Sequence, residues 1–181
     1  MSIIPFAIAW YFAVNPENLK LGTNHGELIS PIVTTDFSEF SGYDRFSAEN
    51  LKELQGHWVL INVLPQTSCS AVCLDAFYKT RQISLMMGKD ISRLRRAAVL
   101  KPDTELASLT KEWQEDGRLL KVLVSTALQE KIRKITANSA EEGGLIIMDP
   151  LGNLMMKYST GYDPYQVRND LSKLLKISQI G

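Results

Sequence analysis

Cysteine and histidine are scarce in this chain, which has two of each among its 181 residues. Two cysteines are too few for a scaffold held together by disulfides, so a hydrophobic core must stabilise the fold and the thiols are free for chemistry. The two histidines, His25 and His57, lie far apart in the sequence and lack the ligand spacing of a zinc motif.

An excess of charge of either sign is also missing. Twenty basic residues balance twenty acidic residues, and no run of Lys or Arg is dense enough to form a nucleic-acid surface. The densest group is Arg93, Arg95 and Arg96, which we interpret as the border of a helix or of a strand. The sequence therefore gives no support for a nucleic-acid partner, and no motif indicates nucleotide or carbohydrate chemistry.

The chain has no long hydrophobic run either. Its uncharged N-terminal segment ends at Val14 and is shorter than the roughly 20 residues that a membrane-spanning helix needs. It also lacks the basic start of a signal peptide. We interpret residues 1–14 as a truncated or marginal membrane anchor with the aromatic residues 10–12 at the interface. The alternative is a short buried strand or helix. An anchor would place the remaining chain in an oxidising compartment.

The two cysteines, Cys69 and Cys73, stand four residues apart and directly follow the apolar run 58–64. A continuous apolar run is typical of a strand buried on both faces of a sheet. Residues i and i+4 of a helix lie one turn apart, about 6 Å between Cα atoms, within the range that a disulfide bridges. The pair can therefore form a reversible bond or hold a soft metal ion. A static disulfide, or two buried reduced thiols, is the structural alternative.

The rest of the chain alternates between strand-like and helix-like segments. Residues 15–45 indicate a linker with short strands around 27–33, and residues 47–54 a short helix or turn. The predicted strands are 57–64, 97–100, 119–124, 144–148 and 154–158, the last two joined by a turn at 149–152. The predicted helices run from the Cys pair to Gly88, over 104–115, over 128–135, and from Asp163 as N-cap with Pro164 as first helical residue.

This order predicts an α/β fold. Strands that alternate with helices favour a mainly parallel central sheet with right-handed crossovers, and the C-terminal β-hairpin adds an antiparallel edge. The arrangement, with its flanking helices, is thioredoxin-like, and we assign it to residues 46–181.

From about Gly56 to its C-terminus, the chain resembles the SCO/SenC family of thioredoxin-like proteins, in particular a group of small proteobacterial members. The resemblance rests on the strand 57–64, the pair Cys69-x3-Cys73 and the hairpin 145–153, and the segment 24–28 matches that group. It implies a protein that is anchored in the inner membrane, with its domain facing the periplasm, and that serves cytochrome c oxidase assembly. The expected partner is a cytochrome c oxidase subunit or another copper or thiol assembly protein.

The chain departs from the family at the metal site. Family members bind copper through both cysteines and a histidine before the hairpin, which ungapped counting places near Glu141 of this chain, yet no histidine follows His57. Ser70 and Leu74 occupy the positions of two family prolines. The segment 141–144 also lacks the proline that faces the thiols in thioredoxin-type enzymes, and an acidic side chain there would raise a thiol pKa.

These residues are compatible with three functions. In the first, Cys69 and Cys73 form a thiol-disulfide oxidoreductase pair that needs no cofactor, because a helix N-terminus favours a thiolate. In the second, the same two cysteines bind copper as Cu(I), with a third ligand supplied by a partner, by His25 or by Met155 or Met156. Because the two methionines occupy alternating strand positions, we interpret one of them as a core residue. In the third, the domain is a non-catalytic interaction module. Lys79 and Arg81 are expected in solvated positions.

Overall fold

The computed structural model describes residue 10 and the ranges 24–64, 69–103, 111–136 and 143–178. The predicted anchor, 1–14, lies outside these residues except for Trp10, which is exposed. Residues 104–110 of the predicted helix 104–115 and the pair Glu141 and Glu142 also lie outside them. Among the described residues, no helix is both long and apolar enough to cross a bilayer.

Seven strands form one sheet in the described part of the chain. They are β1 Glu27–Thr34, β2 Phe40–Gly42, β3 Trp58–Val63, β4 Leu94–Val99, β5 Leu119–Val124, β6 Leu145–Met148 and β7 Asn153–Tyr158.

The described helices lie between and after the strands. They are α1 Arg45–Glu49, α2 Ala71–Met86, α3 Lys111–Gln114, α4 Thr126–Thr136 and α5 Pro164–Ile177, with 3-10 segments at Phe37–Glu39, Leu51–Leu54 and Gly88–Arg93.

The strand order is β1-β7-β6-β3-β4-β5-β2. The three central strands β3, β4 and β5 run parallel, whereas the hairpin β6–β7 joins β3 in antiparallel orientation. β1 pairs with β7 and β2 with β5, both antiparallel. The thioredoxin-like α/β fold predicted from the sequence is thereby confirmed, but the hairpin is not the edge of the sheet because β1 covers it. Pro31, which has no N–H to donate, lies on this edge strand.

Hydrophobic side chains cover both faces of the sheet. On one face, α4 packs Leu128, Ile132 and Ile135 against alternate residues of the strands. On the other face, α5 packs Val167, Leu171 and Leu175 against β3, β6 and β7, beside the end of α2. A third cluster joins the first turns of α2 to β4, β5 and α3; its members include Cys73, Phe77, Ala98, Trp113 and Leu119.

Most predicted elements lie within a few residues of those observed. The largest difference is β4, which begins at Leu94 rather than at residue 97. The three arginines border the entrance of β4, as the sequence predicts: Arg93 ends the 3-10 segment, and Arg95 and Arg96 are the second and third residues of the strand, on opposite faces. Arg95 pairs with Glu53 at 2.7 Å, and Arg96 pairs with Asp116 at 2.8 Å. A carboxylate on each face allows a charged side chain to occupy a strand position.

The hairpin turn and the last helix begin as the sequence predicts. The Gly152 N–H donates to the Asp149 carbonyl at 3.0 Å, and Gly152 adopts a φ of +91°, which favours glycine. Asp163 caps α5 by accepting a hydrogen bond from the Tyr165 N–H at 2.8 Å. These local signals fix the path of the chain from β6 to the C-terminal helix.

Candidate redox site

The Cys pair lies at the carboxyl end of β3, where the chain enters α2. Ser70 is the N-cap of this helix, and its hydroxyl accepts a hydrogen bond from the Val72 N–H at 3.1 Å. Its carbonyl accepts the Leu74 N–H at 3.0 Å, which forms the first helical turn. Cys69 therefore precedes the helix and Cys73 lies in its first turn, as predicted, beside N–H groups and a helix dipole that favour negative charge.

Cys69 and Cys73 are joined by a disulfide, with 5.3 Å between their Cα atoms. The two sulfurs differ in environment. Cys69 is half-buried, whereas Cys73 is 4% exposed and packs among core residues that include Phe77 and Trp113. The rings of these two residues lie 5.7 Å apart. One cysteine is therefore accessible to a partner and the other is sequestered behind it.

The segment before β6 passes close to the first turn of α2. A Cβ on Gly143 would lie 2.7 Å from Val72 Cγ1 and 3.3 Å from the Val72 carbonyl oxygen. Gly143 also has a φ of +88°, so the position requires glycine on two counts. The sequence prediction that 141–144 borders the Cys pair is consistent with this contact at Gly143. In the sequence, the adjacent glycines Gly143 and Gly144 are the only signal of this contact.

A buried polar network lies one to two turns below Cys73 and was not predicted. The Thr80 hydroxyl donates to the Asn62 side-chain carbonyl at 3.0 Å. The Tyr162 hydroxyl donates to the Ala76 carbonyl at 3.3 Å. Burial raises the pKa of Tyr162, and the side-chain nitrogen of Asn62 is buried without a hydrogen-bond partner among the described residues. These bonds link α2 to β3 and to the turn before α5 without an ionised side chain.

The alternative copper ligands considered from the sequence are not gathered at the pair. His57 precedes β3, at the opposite end of that strand from Cys69, and its Nδ1 lies 2.9 Å from the Gln55 carbonyl oxygen. His25 lies two residues before the edge strand β1, and the Asp170 carboxylate accepts its backbone N–H at 2.7 Å. Met156 is fully buried in the cluster around α5, as predicted for one of the two methionines, whereas Met155 is half-buried and packs against the same cluster. No group of three or more His, Cys, Asp or Glu side chains suited to a metal occurs in the described ranges.

The two cations expected to be solvated are instead in contact with aromatic rings. Lys79 forms a 2.8 Å ion pair with Asp75 and lies 5.4 Å from the centre of the Tyr162 ring. The Arg81 guanidinium lies 5.8 Å from the centre of the Trp113 ring. The prediction of solvated positions is wrong because their aliphatic stems cover buried aromatic surface.

Residues 58–178 match the family described as the transmembrane-like, thioredoxin-like C-terminal domain. A search of curated protein sequences found no match.

Solved structures of SCO proteins share this fold, which confirms the resemblance at the level of architecture. Yeast Sco1 superposes with a TM-score of 0.54 and 16% identity, covering 70% of this chain and 84% of its own. Arabidopsis thaliana ScoI with copper bound gives a TM-score of 0.52 and 14% identity, covering 70% of this chain and 89% of its own. Yeast Sco1 with copper bound gives a TM-score of 0.52 and 15% identity, covering 69% of this chain and 79% of its own.

Proposed function

The chain belongs to the family of transmembrane-like, thioredoxin-like C-terminal domains, and on that premise we propose that Cys69 and Cys73 form a reversible thiol–disulfide centre. The observation that carries the proposal is the disulfide itself, placed at the N-terminus of α2 with one half-buried and one buried sulfur. This asymmetry suits exchange, because an accessible thiolate attacks and a sequestered thiol resolves.

The proposed exchange transfers two electrons from the reduced pair to a client disulfide. The Cys69 thiolate attacks one client sulfur, the client S–S bond breaks, and a client thiolate leaves. The Cys73 thiolate then attacks the Cys69 sulfur of the mixed disulfide, which forms the Cys69–Cys73 bond and releases the second client sulfur. The client thiolates take up the two protons that the pair lost. A thiol reductant must restore the pair, by the same steps in reverse.

The proposed client is a pair of cysteines in a copper site of cytochrome c oxidase, or in a protein that assembles that site. The SCO architecture and the expected oxidising compartment support this choice, since copper can enter such a site only when its cysteines are reduced. Within the proposal, residues 1–14 anchor the protein in the inner membrane. Residues 15–45 connect the anchor, and the thioredoxin-like domain 46–181 faces the periplasm.

A second candidate is copper carriage by the reduced pair. Two thiolates, one just before the helix and one in its first turn, are suitable soft donors for Cu(I), and the Sco proteins of yeast and Arabidopsis thaliana have been solved with copper bound. The disulfide has no thiolates to offer, so only the reduced pair is competent. The described residues bring no third donor to the pair, so its donor set suits two-coordinate Cu(I) and lacks the nitrogen that Cu(II) prefers.

Mixed-disulfide trapping tests the exchange proposal. Cys73→Ser, mixed with the oxidised copper-site domain of an oxidase subunit, is expected to accumulate a covalent complex through Cys69 because the resolving thiol is gone. Cys69→Ser is the matched control and is expected to trap little, since Cys73 is buried. Equal trapping by both variants, or by neither, would contradict the assigned roles.

Anaerobic Cu(I) titration tests the second candidate. One-to-one binding by the reduced protein, lost in both Cys69→Ser and Cys73→Ser, would make the protein a copper carrier. If the reduced protein loses the ion to a competing chelator as readily as the variants do, copper carriage is rejected and exchange is unaffected.

A further inference from the structure

Three cations gather where α2 and α5 end. A depression of about 440 Å³ lies between the end of α2, the 3-10 segment that follows it and the C-terminal half of α5. Lys89, Arg168 and Lys176 line this basic depression, and all three residues are exposed. In the described part of the chain, none of the three forms an ion pair with a carboxylate. Arg168 instead donates to the side-chain oxygen of Asn169, at 3.2 Å.

The basic depression holds too little negative charge to balance these cations. Asp90 is the only described carboxylate in its lining, and this side chain lies 3.9 Å from the Arg93 guanidinium. Arg93 also donates to the carbonyls of Leu175 and Ser178, both at 3.1 Å, at the end of α5. Because Asp90 and Arg93 offset each other, the charges of the other three cations remain in excess.

The ends of the two helices reduce this excess without removing it. The last carbonyls of a helix carry a partial negative charge of about half a unit, which attracts cations and fades within the last turn. Two helices end at the basic depression, so they offset about one of the three positive charges. Arg168 is the fifth residue of α5 and lies more than two turns before its end. The helix dipole therefore does not explain why Arg168 is there.

The excess is a local property, because the chain as a whole is neutral. Twenty basic residues balance twenty acidic residues. A protein without net charge is attracted to an anionic partner only where its own charges are segregated. The basic depression is such a region, and it gives the molecule one face that favours anions.

Exposed apolar side chains lie at the same end of the sheet. Ile177, the last residue of α5, is 80% accessible, and Leu151 in the β6–β7 turn is 64% accessible. Arg93 ties the end of α5 to the start of β4, and Met148 pairs with Val59 beside the start of β3, just before that turn. Cations next to exposed apolar groups are typical of surfaces that lie on membranes, where they meet lipid phosphates and the headgroup region.

This end of the sheet lies opposite the Cys pair. The disulfide is at the start of α2 and the basic depression at its end, and the 16 residues of this helix span about 24 Å at 1.5 Å per residue. A partner that covers the basic depression therefore leaves the disulfide accessible. A domain that is tethered to a bilayer also stays close to its lipids, which raises their effective concentration.

We propose that Lys89, Arg168 and Lys176 seat the domain on an anionic membrane surface, with lipid phosphates at the three cations and Ile177 in the headgroup region. In this orientation, the Cys pair faces away from the membrane and is open to a client. The choice of a membrane as partner rests on the anchoring proposed for residues 1–14. It does not depend on the chemistry proposed for the Cys pair.

Sedimentation of the full-length oxidised protein with vesicles tests the proposal. One kind of vesicle is phosphatidylcholine alone, and the other contains about one third phosphatidylglycerol. Segment 1–14 has no charged side chain, so an anchor there binds both kinds, and the ratio of the two affinities measures the effect of charge. Each Lys or Arg near an anionic surface adds about fivefold in affinity. We expect a ratio of about 10 or more in about 0.1 M NaCl, and a ratio near 1 in about 1 M NaCl.

Substitutions identify the residues that bind. Arg168→Gln/Lys176→Gln is expected to lower the ratio at least about fivefold. Arg133→Gln/Lys134→Gln is the matched control, because it removes the same two residue types from exposed positions in the last turn of α4, on the other face of the sheet. Ile177→Ser should weaken binding to the anionic vesicles about threefold or more, through lost apolar burial.

Soluble glycerol phosphate distinguishes a membrane surface from a site for a free phosphate. At constant ionic strength, millimolar glycerol phosphate is expected to leave the protein on the vesicles, because a membrane engages all three cations at once. Displacement would overturn the proposal in favour of a small-ligand site.

The proposal is also overturned if both kinds of vesicle bind equally, or if the two double variants behave alike. Equal binding to both kinds would leave the anchor of residues 1–14 intact, whereas absence of binding to either would reject the anchor as well. None of these results bears on thiol exchange, which mixed-disulfide trapping tests separately.

Discussion

Gly143 shows how a single residue shapes the surroundings of the Cys pair. Its backbone lies so close to Val72 that a Cβ would meet Val72 Cγ1 at 2.7 Å, and its φ is +88°. The two effects are distinct, since one is a contact between segments far apart in sequence and the other is local. The protein contains a glycine at which only the local effect operates, Gly161, with a φ of +82° and nothing within 4 Å of an added Cβ.

Gly143→Ala is therefore expected to destabilise the protein more than Gly161→Ala. Gly161→Ala should cost roughly 1 kcal/mol from its backbone conformation alone. Gly143→Ala should cost a further 1–3 kcal/mol or so, because the new methyl group displaces Val72 and the first turn of α2. Urea unfolding of the oxidised proteins measures both. Adding Val72→Ala to Gly143→Ala should recover part of the loss, and a cost for Gly143→Ala no larger than that for Gly161→Ala would contradict the contact.

Asp170 anchors the start of the edge strand to the last helix. This carboxylate is 1% exposed, and one of its oxygens accepts the backbone N–H groups of His25 and Gly26 at 2.7 and 3.0 Å. The same oxygen accepts the Tyr158 hydroxyl at 3.0 Å. Three donors, two from the residues just before β1 and one from β7, thus converge on one side chain of α5.

Asp170→Ala is expected to destabilise the protein by about 3 kcal/mol, because it leaves these donors without an acceptor. Asp170→Asn, which keeps one carbonyl oxygen, should cost less. Chemical unfolding measures the loss, with the exposed neighbour Asn169→Ala as control. Hydrogen exchange at His25 and Gly26 should accelerate in Asp170→Ala, and unchanged exchange there would show that Asp170 does not hold the strand.

The reactive residues are visible in the sequence, but most of their surroundings are not. Cys69 and Cys73 are the only cysteines and directly follow a buried strand, so their position and their proximity follow from local pattern. The contacts of Gly143 and Asp170 join segments distant in the chain, and no spacing rule connects them. The buried Lys121 illustrates the same limit. It is 2% exposed and pairs with Asp44 at 3.0 Å, yet in the sequence it is one lysine within an apolar strand.

At the scale of elements, the N-terminus of α2 couples helix formation to the geometry of the disulfide. Ser70 lies between the two cysteines in the sequence, and its hydroxyl accepts a hydrogen bond from the Val72 N–H. A side-chain cap at this point satisfies one of the N–H groups that the first helical turn leaves unpaired.

Ser70→Ala is expected to lower the free energy of unfolding by about 1 kcal/mol, the usual cost of losing an N-cap. Ser159→Ala, at an exposed position outside any helix, should change it by less than about 0.5 kcal/mol. Urea unfolding of the oxidised proteins gives the comparison. A loss for Ser70→Ala no greater than that of the control would mean that the disulfide alone fixes the start of α2.

The boundaries of elements follow from sequence where a local signal exists. β5 was predicted at 119–124 and is observed as Leu119–Val124, and Asp163 and Pro164 mark the start of α5. The sequence pattern predicts too late a start for β4, because the first residues of this strand are charged and their partners, Glu53 and Asp116, lie in other elements. The pairing of β1 with β7 also joins segments that are far apart in the chain. The sequence therefore predicts a strand near 27–33 but not its position in the sheet.

At the scale of the whole molecule, buried ion pairs link stability to pH. Burial raises the pKa of Asp116, but its interactions with Arg96 and Arg118 outweigh burial and hold the pKa below its usual range. A carboxyl group with a lowered pKa stabilises the folded state above its unfolded value, near 3.9, and this contribution is lost as the pH falls through the folded value.

Asp116→Asn should therefore be less stable than the unmodified protein at pH 7, and the difference should shrink as the pH falls from about 5 towards 2. The reason is that the unmodified protein loses the charge of Asp116 over that interval, whereas the variant has none to lose. Urea unfolding at a series of pH values measures this. Parallel pH profiles for the two proteins would contradict a stabilising ionised Asp116.

The central claim is that the Cys69–Cys73 bond opens and closes under physiological conditions while the fold is kept. Its most direct test is the equilibrium of the folded protein with glutathione redox buffers, read by alkylation and mass spectrometry, with Cys69→Ser and Cys73→Ser as blanks. The account predicts a reversible two-electron transition at a potential above about −300 mV. If the pair is still oxidised in redox buffers poised below that potential, or is reduced only when the protein unfolds, it is a structural disulfide. Either result would contradict the account.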